Sequence, residues 1–319
     1  MRLDIDVVDS LREMQALRLP WLELWRSCPN ATPFQSPQWL LPWTKYLFGG
    51  GRILVLALRD GQRLVGLAPL FRWGVGLQTI SFLGAGISDY GDLLFAPGQE
   101  NECVRAVRRF LAQREVWDEL DLQELRCGSG LLEGWPVMQC SVCPVLHLGA
   151  FPGSMDSKHR TDVRRARNRL LKKPDLRFTA ATGETLAHHM DGFFHLHRER
   201  WGPLGDSMKQ FHREAAHAFQ ESGNLRLSLL QTGGSPAAAL YAFTSGKTLY
   251  CYLSGYAPEM AKLSPGAVLL EWVIEQAVAE GMEAVDFLRH NEAYKYLWGA
   301  RDRSNFAVHL PKRDLSFPE

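Results

Sequence analysis

The sequence predicts an α/β protein built from two copies of one sheet-and-helix unit. Three observations lead there. The chain has 319 residues, room for about two domains of ordinary size. Its apolar residues switch repeatedly between a three-to-four-residue period and strict alternation, the marks of helices and strands. The order helix, helix, three strands, helix, strand then occurs twice, which points to duplication of an αβ unit of roughly 150 residues.

The first copy reads as follows. Leu11–Trp25 spaces its apolar residues as a helix does, despite Pro20. "SPQWLLPWTKYLF" opens on Ser36 as N-cap with Pro37 in the first helical position. "RILVLAL" and "RLVGLAPLF" are strands joined by a turn at Asp60-Gly61, and "LQTISFLGAG" is a third. Residues 100–116 form an amphipathic helix with Cys103, Val104, Val107 and Leu111 inward. "WDELDLQEL" is a strand pointing Leu120, Leu122 and Leu125 inward. In the second copy, "ETLAHHMDGFFHLHRERW" and "KQFHREAAHAFQESG" are helices, the latter stopping at Gly223. "NLRLSLLQ" and "PAAALYAFT" are strands around Gly233-Gly234, and "TLYCYLSGY" is the third. A helix from Ser264 to Gly281 and the strand "MEAVDFL" complete it.

Composition narrows the classes. Hydrophobic residues at 46% and charged residues at 22% fit a soluble globular chain with two cores. A net charge of +1 exerts little long-range pull on polyanions, so a phosphate contact must come from a local patch. The six cysteines sit mostly in apolar or strand-like segments and read as reduced thiols. Cys140-x-x-Cys143 lacks the second pair that a structural zinc needs. The N-terminus lacks the basic start and apolar run of a signal peptide, and no 18-residue uncharged apolar window exists. A cytoplasmic location without a membrane span is expected, with peripheral contact left open.

Between the copies lies a basic stretch with eight Lys/Arg residues from Lys158 to Lys173. Val163, Ala166 and Leu170 give it one apolar stripe. It reads either as a solvated connector or as a phosphate-facing patch, in which Arg160, Arg164 and Arg167 share a face.

Two stretches carry chemistry. In "LSPGAVLLEW", Ser264 is the expected N-cap, Pro265 fits the first turn and Gly266 permits close backbone approach. The free N–H groups and positive dipole end of such a helix hold a phosphate without any lysine. In "DFLRHNEAYKYLWGARD", Asp286 stands on an apolar strand and needs a partner, Arg289 and Lys295 being nearest in sequence. Asn291 to Gly299 forms a short helix, with Tyr294, Lys295 and Trp298 along one side. That side is either a pocket with aromatic walls and one cation, or ordinary core packing with a solvated lysine. "SDYGDLLF" adds Asp89, Tyr90 and Asp92, as a turn or as an acceptor site.

Taken in order, "SPQWL", "SDYGDLLF", "SPGAVLLEWVIEQAVAEG" and "DFLRHNEAYKYLWG" resemble the acetyltransferase-like proteins grouped with CelD and the FemAB/X ligases, within the broad GNAT class. The resemblance covers nearly the whole chain. It implies tandem GNAT-like domains, each a mixed, mainly antiparallel sheet flanked by helices, at 1–150 and 179–319, with 151–178 as a basic helical connector and the acyl-donor site in the second. The family's donor cradle corresponds to Ser264, Pro265 and Gly266, and its basic stretch to Arg160–Arg169. Its closing motif corresponds to Asp286, Phe287, Glu292, Tyr294, Lys295, Trp298 and Gly299. Where the family has Gly-Asp, this chain has His290-Asn291, which makes His290 a new candidate base.

The resemblance therefore implies acyl transfer from acetyl-CoA or another acyl-CoA to a small-molecule, glycan-linked or lipid-linked amine, such as an amino sugar or a precursor of envelope polysaccharide. Lys295 would meet an anionic part of a reactant. Glu292 or His290 would relay the proton, and Tyr252 or Tyr294 would donate to the leaving thiolate. One rival is a tRNA-dependent aminoacyl ligase of the FemX kind, using the arginine patch; outside that reading no nucleic acid is expected. The other is a non-catalytic scaffold, against which the presence of both Tyr294 and Lys295 speaks. His188 and His195 could face one way on their helix, but no carboxylate or Cys is spaced to complete a metal site, and none is expected.

Overall fold

The computed structural model describes residues 3–113 and 117–314, so the last three residues of the helix predicted over 100–116 lie outside it. The first copy begins with an unpredicted strand, β1 (Asp4–Val8). The single helix expected over Leu11–Trp25 is two, α1 (Leu11–Ala16) and α2 (Arg18–Ser27). The break falls where Pro20 would have bonded back to Ala16, because proline has no N–H to give. Then follow α3 (Pro37–Tyr46), β2 (Arg52–Asp60), β3 (Arg63–Trp73), β4 (Thr79–Phe82), a two-residue β5 (Leu94–Phe95), α4 (Glu100–Gln113) and β6 (Glu119–Arg126). Ser36 caps α3 as predicted, its hydroxyl accepting from Trp39 N–H. Leu122 and Leu125, three apart, both point inward because β6 carries a bulge where Glu124 takes φ +60°.

The second copy is entered through β7 (Val137–His147). It continues with α5 (Ser157–Leu170), β8 (Arg177–Ala180), α6 (Leu186–Trp201), α7 (Asp206–Glu221), β9 (Leu225–Thr232), β10 (Ser235–Ser245) and β11 (Thr248–Tyr256). It closes with α8 (Pro265–Ala279), β12 (Ala284–Asp286), α9 (Ala293–Leu297) and β13 (Arg301–Pro311). Two compact units result: residues up to 142 together with those from 304 onward, and residues 143–303. The last strand therefore finishes in the first unit, and the basic segment belongs to the second. Val163, Ala166 and Leu170 of α5 are buried in that unit's core with Val268, Ile274 and Val285, so the segment is an integral helix and not a connector.

Within the first unit the strands run β1-β2-β3-β4-β6-β13, with β4 parallel to β6 and the other neighbours antiparallel. Within the second they run β7-β12-β11-β10-β9-β8, with β11 parallel to β12 and the rest antiparallel. In each, the one parallel pair is bridged by a helix, α4 or α8. A parallel pair needs such a crossover, so this shared feature is the physical content of the duplication.

Side chains of β10 divide the second unit into two layers. Ala238, Leu240 and Ala242 face the core under α8 and α5. Tyr241 and Phe243, one residue out of phase, stack on Phe193 of α6 and Phe219 of α7. Helices α8 and α5 thus cover one sheet face, and α6 and α7 the other.

Candidate active site of the second unit

The site starts where two parallel strands part. β12 pairs with β11 over three residues only, Thr248–Tyr250 against Ala284–Asp286. β11 runs on to Tyr256, and Cys251–Tyr256 pass the end of β12. At the same place the ladder to β10 steps from Tyr241↔Leu253 to Ala242↔Cys251, leaving Tyr252 as the extra residue of a bulge. Bulges of this kind re-aim side chains and backbone groups and gather near active sites.

Beside the parting lies the N-terminus of α8. Ser264 occupies the cap position, but in a left-handed conformation (φ 50°, ψ 50°), and its side chain makes no capping bond. This corrects the expected hydroxyl cap. Pro265 has no N–H, and the N–H groups of Gly266 and Ala267 precede the first intrahelical bond, Val268 N–H to Ser264 C=O. Ser264 and Ala267 share a depression of about 640 Å³ with His159, Arg165, Asn168 and Arg169 of α5. The structure therefore places two arginines against the free end of the helix, but not the three expected. Arg160, Arg164 and Arg167 do share a face, yet it opens on a separate depression of about 590 Å³ beside Glu271 and Glu275. Arg167 lies 3.3 Å from both of those carboxylates. Helical spacing tells which arginines share a face; only the docking of α5 tells which face meets α8.

On the other side of the parting, the closing motif forms a tight corner. Asp286 is 0% exposed and accepts from Leu288 N–H at 2.9 Å. Its carboxylate pairs with Arg303 of β13, a residue that nearness in sequence did not single out. Lys295 is 2% exposed, and its ammonium donates to the carbonyls of Leu288 (3.1 Å), Arg289 (2.6 Å) and His290 (2.9 Å), with Glu292 at 2.8 Å. An ammonium has three protons. Lys295 therefore holds the 288–290 corner, in which Leu288 and His290 adopt positive φ, and has no donor left for a reactant. This corrects its expected place in an open pocket. Trp298 is corrected likewise: it is a core side chain, edge-on to His159 at 5.0 Å. The helix α9 starts after Glu292, not Asn291. Gly299 ends the motif at φ +89°, where a Cβ would fall 2.4 Å from the Ser154 carbonyl oxygen.

The titratable groups at the parting divide clearly. Burial pulls the Glu292 carboxyl up, but the Lys295 ammonium beside it wins and holds it below the usual range. Burial raises the Tyr294 hydroxyl, helped by Cys251 and Glu292. Burial, with Asp286 nearby, pushes the Cys251 thiol up to about 12, so Cys251 stays protonated and is no nucleophile. His290 is exposed.

In the first unit, Tyr90 is a core ring rather than a binding surface, beside Phe34 at 6.2 Å. Asp89 is buried, and its carbonyl accepts from Asn305. Asp92 accepts from Leu93 N–H and the Ser129 hydroxyl, each at 2.8 Å. Burial raises its carboxyl to about 6 from 3.8, so the folded protein keeps this proton to higher pH than the unfolded chain does. Stability from this group is full below about pH 3.8 and is lost as pH rises through about 6. Asp92→Asn, which keeps the accepting oxygen, should raise stability above pH 7 by about 2–3 kcal/mol and change little at pH 4, as urea titrations at both pH values will show.

Among the described residues, no group of three or more His, Cys, Asp or Glu is placed to hold a metal, and no helix is long and apolar enough to cross a membrane.

Residues 157–296 match the family model described as an acetyltransferase (GNAT) domain. Over that segment the chain is similar to GNAT acetyltransferases. The segment begins at the first residue of α5 and ends inside α9, so it contains the α8 terminus, the strand parting and the Lys295 corner. No curated protein sequence matches the chain. Among solved structures, FemX superposes with a TM-score of 0.64 at 14% identity, covering 96% of this chain and 97% of that one. A conserved protein of unknown function from Bacteroides thetaiotaomicron gives 0.60 at 11%, covering 96% and 99%. L-PGS from Bacillus licheniformis gives 0.55 at 13%, covering 76% and 81%. At such identities the likeness is one of fold. The predicted class, mixed and mainly antiparallel sheets flanked by helices in GNAT-like units, holds.

Arg165, Arg169 and Arg303 are the residues that sequence reasoning missed. The signal for Arg303 lies in the alternation of "RDRSNFAVHLP", the sequence of β13. Nothing in the spacing of "RRARNR" ranks Arg165 above Arg164.

Proposed function

We propose that the chain transfers an acyl group from an acyl-CoA to an amine, for example on an amino sugar or a glycan- or lipid-linked envelope precursor. The observation that carries this is the depression at the α8 terminus. The α8 terminus at Ser264 and Ala267 and the guanidinium groups of Arg165 and Arg169 line this space, with Asp162 beside Arg165 at 3.6 Å, and the two arginines and the helix end suit it to a diphosphate. It lies beside the strand β11 that outruns β12, where an extended thioester arm can continue along an open backbone edge. Held there, the thioester meets the amine directly. The enzyme's work is positioning, removal of one proton and hydrogen bonding to the developing oxyanion. Cys251, held protonated, favours this direct attack over an acyl-cysteine route.

Calorimetric titration with acetyl-CoA and with a long-chain acyl-CoA tests the reading. A Cβ at Gly266 meets only the Tyr256 ring, at 3.7 Å, so alanine fits there. Gly266→Ala should fold normally, while Gly266→Phe and the Arg165→Ala/Arg169→Ala pair should each weaken donor binding at least tenfold. Absence of binding by the native protein would overturn the reading. The tRNA-dependent ligase draws support from one feature, the second arginine face of α5 at Arg160 and Arg164. Saturable binding of aminoacyl-tRNA without binding of acyl-CoA would select it.

A further inference from the structure

The turn between β3 and β4 puts three apolar side chains into water within five residues. Trp73 is 44% exposed, Val75 104% and Leu77 55%. Single exposed apolar residues are ordinary, but three on one tip make a patch. The tip is held out and does not fold back. Trp73 Nε1 donates to the Ser81 hydroxyl at 3.0 Å, Gln78 N–H to the Asp118 carboxylate at 2.7 Å, and the Gln78 amide to the Gly74 carbonyl at 2.8 Å. Gly74, at φ +115°, permits this shape, since a Cβ there would fall 2.1 Å from the Leu77 carbonyl oxygen. Cations from distant parts of the chain end beside the tip. Arg52 and Arg72 are direct cross-strand partners, next to Trp73. Like charges set opposite each other repel, so the pair favours an anionic neighbour. β13 ends where β6 begins: Pro311 pairs with Glu119, and Lys312 N–H donates to the Asp118 carbonyl at 2.7 Å. Lys312 and Arg313 thus stand two strand spacings from β4, about 10 Å, which is one Debye length. The carboxylates of Asp118 and Glu119 at the same end already accept from Gln78 N–H and the Thr79 hydroxyl.

We propose that this tip is a reversible anchor to an anionic lipid bilayer. Trp73, Val75 and Leu77 enter the headgroup boundary, where an indole with an apolar body and a bonded N–H is well suited. Arg52, Arg72, Lys312 and Arg313 meet the lipid phosphates. Neither part suffices alone. A few apolar side chains hold a bilayer only marginally, and stable attachment takes an apolar and a basic signal together. The anchor does not depend on the acyl-transfer reading. Under that reading it brings the chain to the surface on which a lipid-linked acceptor is held.

The test is co-sedimentation of the full chain with phosphatidylcholine vesicles, with and without phosphatidylglycerol. The native protein should bind the vesicles that contain phosphatidylglycerol about tenfold more tightly than those without, and less tightly as salt rises. Val75→Asp/Leu77→Asp should weaken that binding about tenfold at an unchanged melting temperature, since both side chains already stand in water. Arg52→Gln should weaken binding to the anionic vesicles and flatten its salt dependence. Leu171→Asp, at an exposed leucine of the second unit, should bind as the native protein does. A native protein that binds neither vesicle overturns the anchor. So does native binding by Val75→Asp/Leu77→Asp, or an equal loss in Leu171→Asp. Light scattering that shows a dimer dispersed by Val75→Asp/Leu77→Asp, without vesicle binding, would assign the tip to a second copy of the chain and overturn the anchor too. Calorimetric binding of acetyl-CoA should be the same in Val75→Asp/Leu77→Asp and the native protein, so failure of the anchor leaves the acyl-transfer reading standing.

Discussion

Lys295→Met should lower unfolding free energy by about 3–4 kcal/mol, the largest loss expected from a single side chain in the second unit. The substitution keeps the apolar stem and removes the ammonium. Three carbonyls, of Leu288, Arg289 and His290, then lose their donor at a position that is 2% exposed. Each bond to a charged group is worth more than a neutral one, and buried acceptors left without partners carry their own desolvation cost. The Glu292 carboxylate is half exposed, and water can replace the lysine there, so little of the loss should come from that pair. Urea denaturation will give the size. Hydrogen exchange will show whether the opening is confined to residues 287–299. If Lys295 instead faced a reactant, Lys295→Met would leave stability near the native value and abolish turnover alone.

Asp286→Ala should cost about 3 kcal/mol, and Asp286→Asn about half of that. Asp286 bridges two features that are distant in sequence: the Leu288 N–H at the end of β12, and the Arg303 guanidinium on β13. Alanine removes both contacts and strands a positive charge whose side chain is 32% exposed, so water relieves part of the penalty. Asparagine keeps an oxygen for Leu288 N–H and loses only the charge. An Asp286→Asn/Arg303→Gln cycle should return a coupling energy of about 1–2 kcal/mol. A coupling near zero would mean that the pair is electrostatically idle and that Asp286 acts only through the Leu288 turn.

The order of elements was legible because each long helix and strand announces its own period. The strands of the two copies, α4 and α8 came from that pattern alone. What failed were elements whose signal is weak or shared. β1 alternates apolar with acidic residues, and its pairing along β2, where Arg59 bonds Asp6 at 2.7 Å, is decided far away in sequence. β8 has four residues, and β13 follows so closely on a motif dense in aromatic and charged groups that its alternation is masked. In "DFLRHNEAYKYLWGARD", many charges and rings follow a buried strand. The structure answers largely in terms of packing: Lys295 ties the corner, Trp298 fills the core, and Asp286 receives Arg303.

By itself the sequence determined the repeated α/β unit, the helix terminus at Ser264-Pro265-Gly266 and the resemblance to GNAT acyltransferases. All three rest on local period, local backbone freedom or motif order, which a linear string carries in full. Only the tertiary structure decided which arginines meet that terminus, that Lys295 is satisfied by backbone carbonyls, and that cations distant in sequence gather beside the tip between β3 and β4. Those outcomes depend on the angle at which one helix docks on another and on contacts across tens of residues. Helical spacing defines a face but not its partner, and a buried charge chooses whichever opposite charge the chain brings to it.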